Sequence, residues 1–530
     1  MPRRRALLGG PLALAACVAP RPAATQEATP EPALAAETQP ATPEPTTAAA
    51  APAPAFTSPP QIRAFWVDAF HDGIKTPAQV EKLVRDAQTA HANTLIVQVR
   101  RRGDAYYNRT SEPRTDDRTL HPGFDGLQAL IERAHAARPR LEVHAWMATV
   151  ALWKEQLTPP ADPAHTFNTH GPAATGDDLW LSLNDRGQAW DNENYMLDPG
   201  HPAVTPYVAG VAEELTRNYD VDGIHLDLVR YAGAQWGYNP LSLARFRRRH
   251  GLPESSTPGP SDARWQQWRR DQVSALVRRV YLDCVAVKPA VKVSAAVIGW
   301  GAGPTDETSW RRTSTYANVF QDWKAWLEEG IVDLALPMNY DDEANEEQRA
   351  WFDRWVAWGR ERQGNRQTAI GVGLFLNKPE AGLAQIRRAL AAGPRGAQAA
   401  GVALYSYAVS NLPPRGSDEP ELPNARFFER LGAEDGPFTG LAPVPELPWK
   451  GQPVGHVRGV VRLAGVPVDG VTVRLDGPKR VTVVSDGSGY FGSVDLTPGA
   501  YGLSVTVAGR SISGSAEVSA GQVATVSLEA

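Results

Sequence analysis

A chain of 530 residues is too long for one compact core and fits about two to four domains of roughly 100–200 residues each. Hydrophobic residues at 42% and charged residues at 21% support ordinary globular cores, while 54 Lys+Arg against 59 Asp+Glu argue against a nucleic-acid surface. With only Cys17 and Cys284, a disulfide framework and any multi-cysteine metal site are excluded, and no apolar run reaches the ~20 residues of a membrane-spanning helix.

The chain opens MPRRRALLGGPLALAAC. Arg3, Arg4 and Arg5 form a basic start, residues 6–14 an apolar stretch, and Ala15-Ala16 a small-residue cleavage site. Leu14-Ala15-Ala16-Cys17 resembles the bacterial lipobox, which predicts a signal over 1–17 and lipidation at Cys17. A plain secretory signal cut nearby is the alternative. Both place the protein outside the cytoplasm, and the lipidated form holds it at the cell envelope by the lipid anchor alone. From 18 to 55, 29 of 38 residues are Ala, Pro or Thr and none is aromatic, too little apolar surface to offset the entropy of ordering. A tether over 18–58 is expected, reaching roughly 100 Å at ~3.1 Å per residue.

From 59 to 440 short apolar runs alternate with helical segments. The runs are 63–69, 94–100, 141–147, 222–231, 291–299, 332–340, 368–375 and 401–408. Between them, Thr76-Pro77 reads as an N-cap with proline at the first helical position, followed by the apolar stripe Val80, Leu83, Val84 and Ala87. Eight such units predict a (β/α)8 TIM barrel with parallel strands, in preference to an open doubly wound sheet. Most strand-to-strand intervals are 31–47 residues, but those after the third and fourth strands are 81 and 69, so the surplus belongs to βα loops at the C-terminal face. A proline-rich hinge at 441–453 precedes alternating strands with Gly and Asp-Gly turns, which predict a small all-β sandwich over 454–530. It resembles carboxypeptidase-regulatory modules, and a passive spacer is its simplest role.

Strand alternation identifies side chains that face the barrel interior. Those are Trp66 and Asp68 on the first strand, Gln98 and Arg100 on the second, His144 and Trp146 on the third, and His225 and Asp227 on the fourth. Burying such groups unpaired would cost about 1–3 kcal/mol each, so their convergence predicts a site. Asp227 ends the fourth strand; the plain alternative is a structural pairing with Arg230 or Arg100. The sixth strand ends Met338-Asn339-Tyr340-Asp341-Asp342-Glu343, where helix capping competes with a catalytic reading of Asp341 and Asp342. Trp146, Trp153, Trp180, Trp190, Trp236, Trp300 and Trp310 fall at strand ends or in βα loops, where indole faces can stack on sugar rings. Trp323, Trp326, Trp351, Trp355 and Trp358 follow helical spacing and read as core.

The segments 63–68, 98–107 (QVRRRGDAYY), 141–147 (LEVHAWM), 197–204 (LDPGHPAV) and 222–231 (DGIHLDLVRY) together resemble the family-ten glycosyl-hydrolase-like proteins, over about residues 60–431. The resemblance implies a (β/α)8 fold, a polysaccharide substrate and, for some members, action on peptidoglycan glycan strands. It places Arg100, Asp104, His144, Trp146, Asp198, His225, Asp227, Arg230 and Tyr231 in the site. Leu228 departs from the frequent second Asp, and the MNYDDE ending is closer to chitinase-type barrels. The expectation is a monomeric glycoside hydrolase needing no cofactor and no metal, with Asp227 kept ionised by Arg230 or Arg100 and Asp341 as proton donor. Asp68, Gln98, Trp300 and Tyr340 complete the expected sugar contacts. A metal-dependent polysaccharide deacetylase built on His144, His225 and Asp227, and a non-catalytic glycan-binding lipoprotein, are the competing classes.

Overall fold

The computed structural model describes residues 55–154 and 158–530; Cys17, the signal and nearly all of the tether lie outside the described residues. Eight parallel strands close a barrel: β1 (Ile62–Val67), β2 (Thr94–Arg100), β3 (Glu142–Ala148), β4 (Gly223–Asp227), β5 (Lys292–Ile298), β6 (Leu334–Asn339), β7 (Gln367–Gly373) and β8 (Gly401–Tyr405). Ile62 pairs with Gly401, so β8 seals against β1 and no edge remains. All eight match the strands expected from sequence, within a few residues at their ends.

The longer helices are α1 (Pro77–Thr89), α2 (Gly126–Ala136), α3 (Val204–Asn218), α4 (Pro240–His250), α5 (Ala263–Val287), α6 (Trp323–Glu329), α7 (Glu346–Glu361), α8 (Pro379–Leu390) and α9 (Asn424–Gly432). In α1 the Thr76 side chain accepts from Gln79 N, and Val80, Leu83, Val84 and Ala87 are buried as the stripe requires. The sequence reading passed over α4, whose last turn is Arg247-Arg248-Arg249-His250; so many charges hide the apolar period although Asn239 caps the helix. Two apolar layers result. A small inner cluster, including Trp66, Ile96, Trp146, Ala296, Leu336 and Ala403, fills the barrel. A larger outer layer joins the strands' other faces to the helices.

The stretch 441–453 is not a swinging hinge. Thr57 N and Ser58 N donate to Leu441 O, Gln61 N to Pro443 O, and Asn93 Nδ2 to Ala442 O. Val444 and Leu447 sit against the starts of the strands, closing the barrel floor. Trp449 is buried and its Nε1 donates to Asp333 Oδ1 at 2.7 Å. The apolar side chains between these prolines thus have a surface to cover, which composition alone does not disclose.

The sandwich contains β9 (Gly455–Leu463), β10 (Thr472–Asp476), β11 (Val481–Val484), β12 (Tyr490–Leu496), β13 (Gly499–Val507), β14 (Arg510–Val518) and β15 (Val523–Glu529). One sheet holds β9 between β12 and β15, with the short strand Val466–Pro467 at its side; the other runs β11-β10-β13-β14. Val457, Val473, Leu475, Phe491, Tyr501 and Leu503 form the shared core. The sandwich is fastened to the barrel. Asp283 on α5 accepts from Arg458 Nη1 at 2.7 Å and Tyr490 OH at 3.2 Å, Arg245 on α4 pairs with Asp469 at 2.8 Å, and Arg366 pairs with Asp495 at 2.7 Å. Gly492 leaves the space that Leu282 of α5 enters: a Cβ there would lie 2.2 Å from Leu282 Cδ1.

Candidate active site

Register sets the height of each inward side chain. His144 pairs with Ile96 and Gly223, Trp146 with Gln98 and His225, and Ala148 with Asp227. The side chains therefore stack in layers from floor to mouth. Glu142, His144 and Lys292 lie at the floor beside Ile62 and Leu334. His144 Nε2 is 3.2 Å from Glu142 Oε2, and Lys292 Nζ donates to the same carboxylate at 2.6 and 2.7 Å. Burial opposes the charge on Glu142, but His144 and Lys292 outweigh it and bring the carboxyl down to about 2. The expectation that His144 positions a sugar is corrected: it belongs to an ion cluster at the closed end.

One layer higher, His225 spans the interior. Its Nε2 accepts from Trp66 Nε1 at 3.0 Å, and Nδ1 lies 2.9 Å from Ser294 Oγ. Complete burial, aided by the charge of His144, lowers the imidazole pKa well below its usual value, so the ring is neutral and fully engaged. His225 therefore offers no nitrogen to a ligand. Among the described residues no group of three His, Cys, Asp or Glu side chains comes together as a metal set, and His144, His225 and Asp227 occupy three different layers.

Asp227 stands at the mouth. Trp146 Nε1 donates to Oδ2 at 3.1 Å and Leu228 N to Oδ1 at 2.7 Å. Leu228 holds a left-handed φ of 53°, a strained conformation for a leucine, and that turn aims its N–H back at the carboxyl. The residue keeps some exposure while its carboxyl is enclosed. Burial raises the carboxyl pKa; the Leu228 N–H and the charge of Arg230 pull it down without cancelling that effect, and Glu193 adds to the rise. The expectation that Arg230 or Arg100 shifts Asp227 toward its charged form is corrected in direction: burial outweighs Arg230, and Arg100 is committed to Glu112.

Around Asp227 the wall is aromatic. Tyr340 and Tyr405 stack at 5.5 Å, and each meets Trp66 edge-on at 6.4 Å. Burial raises both phenol pKa values; Asp227 adds to the rise at Tyr340, and Asp68 with Asp227 at Tyr405. Arg230 places its guanidinium 5.3 Å from the Trp300 ring, which is 45% exposed and forms an open platform. Asp68 accepts from Phe70 N at 2.9 Å and His71 N at 3.0 Å, and His71 Nδ1 is 2.9 Å from it; that hydrogen bond is the main cause of a raised His71 pKa. Gln98 Oε1 accepts from Ala69 N at 3.0 Å and fixes the same turn.

Several expected site residues serve the scaffold instead. Arg100 is fully buried, with Nε and Nη2 on Glu112 at 2.8–3.0 Å and Nη1 on the carbonyls of Ala148 and Thr149. Asp198 is also fully buried, accepting from Gly200 N at 2.7 Å, Ser242 Oγ at 3.1 Å and Tyr231 OH at 3.2 Å, so Asp198 and Tyr231 clamp the loops rather than meet solvent. Asp104 Oδ1 accepts from Arg102 N in the β2–α2 loop. On β6 and just past it the inner cluster includes Leu334, Leu336, Met338 and Tyr340; the backbone carbonyl of the buried Asp341 accepts from Asn377 Nδ2 and Gln385 Nε2. Asp342 accepts from Ala344 N and tightens the turn before α7, whose N-cap is Asn345. Trp153 and Trp310 are buried packing residues.

Sequence reasoning missed Tyr405, although alternation along 401–405 points it inward beside Ala403. It also missed Asn339, buried at the end of β6 with neither amide atom hydrogen-bonded. Asn339 Oδ1 would lie 2.3 Å from a Cβ on Gly299, so glycine is required there. No sequence signal marks that pair.

A parallel eight-stranded barrel with a carboxyl enclosed by aromatic rings at its C-terminal mouth defines a glycosidase-type architecture. The chain belongs to the family described as Glycosyl hydrolase-like 10, whose pattern matches residues 61–385. It is 27% identical over 267 residues to Glycosyl hydrolase YngK of Bacillus subtilis (strain 168), covering 49% of this chain and 48% of that one. To Glycosyl hydrolase DigH of Escherichia coli (strain K12) it is 24% identical over 285 residues, covering 50% and 58%. The chain spans about half the length of the curated relatives it matches. Among solved structures it is similar to the PgaB (BpsB) glycoside hydrolase domain from Bordetella bronchiseptica, at TM-score 0.48 and 14% identity, covering 65% of this chain and 94% of that chain.

Proposed function

We propose that this chain hydrolyses glycosidic bonds of a cell-surface or extracellular polysaccharide, with Asp227 as the proton donor. The observation that carries the reading is a single carboxyl at the barrel mouth whose pKa is raised by burial, the property a general acid needs near neutrality. Its Trp146 and Leu228 donors would hold the carboxylate left after proton transfer. Asp68, held by the Phe70 and His71 N–H donors, would supply the negative charge facing the developing oxocarbenium ion. Trp300 with Arg230 offers a stacking surface beside the cut bond. Family membership and the relatives named glycosyl hydrolases support the same reading; peptide-stripped peptidoglycan joins the glycans tested because the sequence resemblance implies it for some members.

The test is reducing-end release from a glycan panel by the parent and by Asp227→Asn, Asp68→Asn and Asp341→Asn. Asp227→Asn should lose at least ~10²-fold on natural linkages, and far less on activated aryl glycosides, which need no protonation. Loss in Asp341→Asn with full activity in Asp227→Asn would overturn the assignment. Oligosaccharide binding with no release by the parent would favour a binding protein.

A further inference from the structure

The long insertion after β3 is built more firmly than loop closure requires. A two-stranded ribbon, Ala151–Trp153 against Tyr195–Met196, leaves the barrel, and within it a turn forms at 184–188. Asn184 Oδ1 accepts from Arg186 N and Gln188 N at 2.9 Å each, and Gly187 takes the left-handed φ of 78° that the turn demands. The loop after β4 is pinned to this insertion. Gly237 N and Tyr238 N donate to Leu183 O at 3.0 and 2.9 Å, Asp185 N donates to Gln235 O at 2.9 Å, and Asn239 Nδ2 reaches Leu179 O and Leu181 O.

These two loops line an open cleft of about 880 Å³, a size that suits a small-molecule site. Its aromatic walls are the half-buried Trp190, Trp236 and Tyr195, and Asp185, Gln188 and Gln235 stand exposed around it. At one end Asp191 lies close enough to Arg230 for their charges to interact, and Glu193, two residues on, does the same with Asp227.

We infer that this cavity is a second sugar-binding site, which holds an uncharged stretch of glycan away from the bond being cut. Indole and phenol rings offer flat apolar faces to pyranose rings, while amides and carboxylates take up hydroxyl hydrogen bonds. Asp185 and Asp191 against Arg186 leave no excess of positive charge, so anionic sugars are disfavoured. The inference rests on the glycosidase reading for its purpose but not for its binding.

The test uses the full chain carrying Asp227→Asn, so that binding is read without turnover, with chitohexaose, cellohexaose and hexagalacturonate as calorimetric probes. At least one uncharged hexamer should bind, and Trp190→Ala/Trp236→Ala should weaken it by about tenfold or more, the scale of one lost stacking contact. Gln188→Ala/Gln235→Ala alters exposed side chains and gives up the Asn184 Nδ2–Gln188 Oε1 bond but keeps the backbone donors to Asn184 Oδ1, so it guards against misfolding and should weaken binding by about threefold. Affinity untouched by both pairs, no binding of either uncharged hexamer, or tighter binding of hexagalacturonate would each overturn the inference. Tryptophan-dependent binding without reducing-end release by the parent chain would remove the hydrolase reading and leave this site standing. Release with affinity indifferent to every substitution would do the reverse.

Discussion

Replacing Glu112 by glutamine should destabilise the barrel while leaving substrate recognition intact. Arg100 has no exposed surface, and its guanidinium is shared between Glu112 and the carbonyls of Ala148 and Thr149. Tyr207 on α3 donates to the same carboxylate. One ion pair thus ties the end of β2, the end of β3, the β2–α2 loop and α3 together beneath the mouth. Attraction to Glu112 overcomes the burial of Arg100 and raises its pKa, so the guanidinium cannot escape the loss of its partner by giving up its proton. Glutamine retains one acceptor oxygen but turns an amide donor toward a buried cation.

Breaking such a pair costs about 3–5 kcal/mol, because a desolvated charge is left uncompensated. Urea unfolding followed by tryptophan fluorescence should show an unfolding free energy lowered by that amount, through a lower midpoint at an unchanged slope. Arg100→Met/Glu112→Leu removes both charges and should recover most of the loss. Under conditions where Glu112→Gln is folded, its KM should match the parent's. A loss below about 1 kcal/mol, the scale of a solvent-exposed pair, together with a raised KM, would refute the scaffold role and return Arg100 to the substrate.

Three further outcomes are expected. Asp227 has a raised pKa when folded, so the folded chain binds that proton more tightly than the unfolded one, and the group opposes folding increasingly as pH rises through the folded pKa. Asp227→Asn should accordingly melt above the parent at pH ~7 and lose the advantage below the unfolded value of about 3.9; a lower melting point at pH ~7 would contradict the burial argument. Trp449→Ala removes a buried indole and its bond to Asp333, and should cost about 3–5 kcal/mol in a melting or urea experiment, whereas a mobile hinge would tolerate it. Cys17→Ala should release the protein to the soluble fraction or stall its processing; unchanged membrane fractionation would sink the lipid-anchor proposal.

The barrel was legible because its local and global signals agree. Each strand is an apolar run such as TLIVQVR, and the helices between them carry a stripe like Val80, Leu83, Val84 and Ala87. Where charge hides the stripe, as in α4, the helix was lost. The fastening of the sandwich was not legible. Asp283 on α5 reads as an ordinary helical acid until Arg458 and Tyr490, about 175 and 207 residues later, converge on it.

The site was legible in one dimension only. Alternation along a strand gives the face of a side chain but not its height, and height decides whether a polar group meets solvent or the floor. His144 and Trp146 share a face and differ by one layer, about 6–7 Å along the strand. That step separates an ion cluster with Glu142 and Lys292 from a donor to Asp227. Height follows from the stagger between neighbouring strands, which hydrogen bonding fixes only when the barrel closes. The charge of Asp227 has the same character. Arg230, three residues on, argues for an ionised carboxylate if sequence distance is taken as proximity. The folded chain adds what sequence distance omits: Trp146, Tyr340 and Tyr405 come from three other strands or their ends, and the enclosure to which they contribute outweighs one cation. The raised pKa of a carboxyl at the mouth is therefore a product of closure and cannot be read from any single strand.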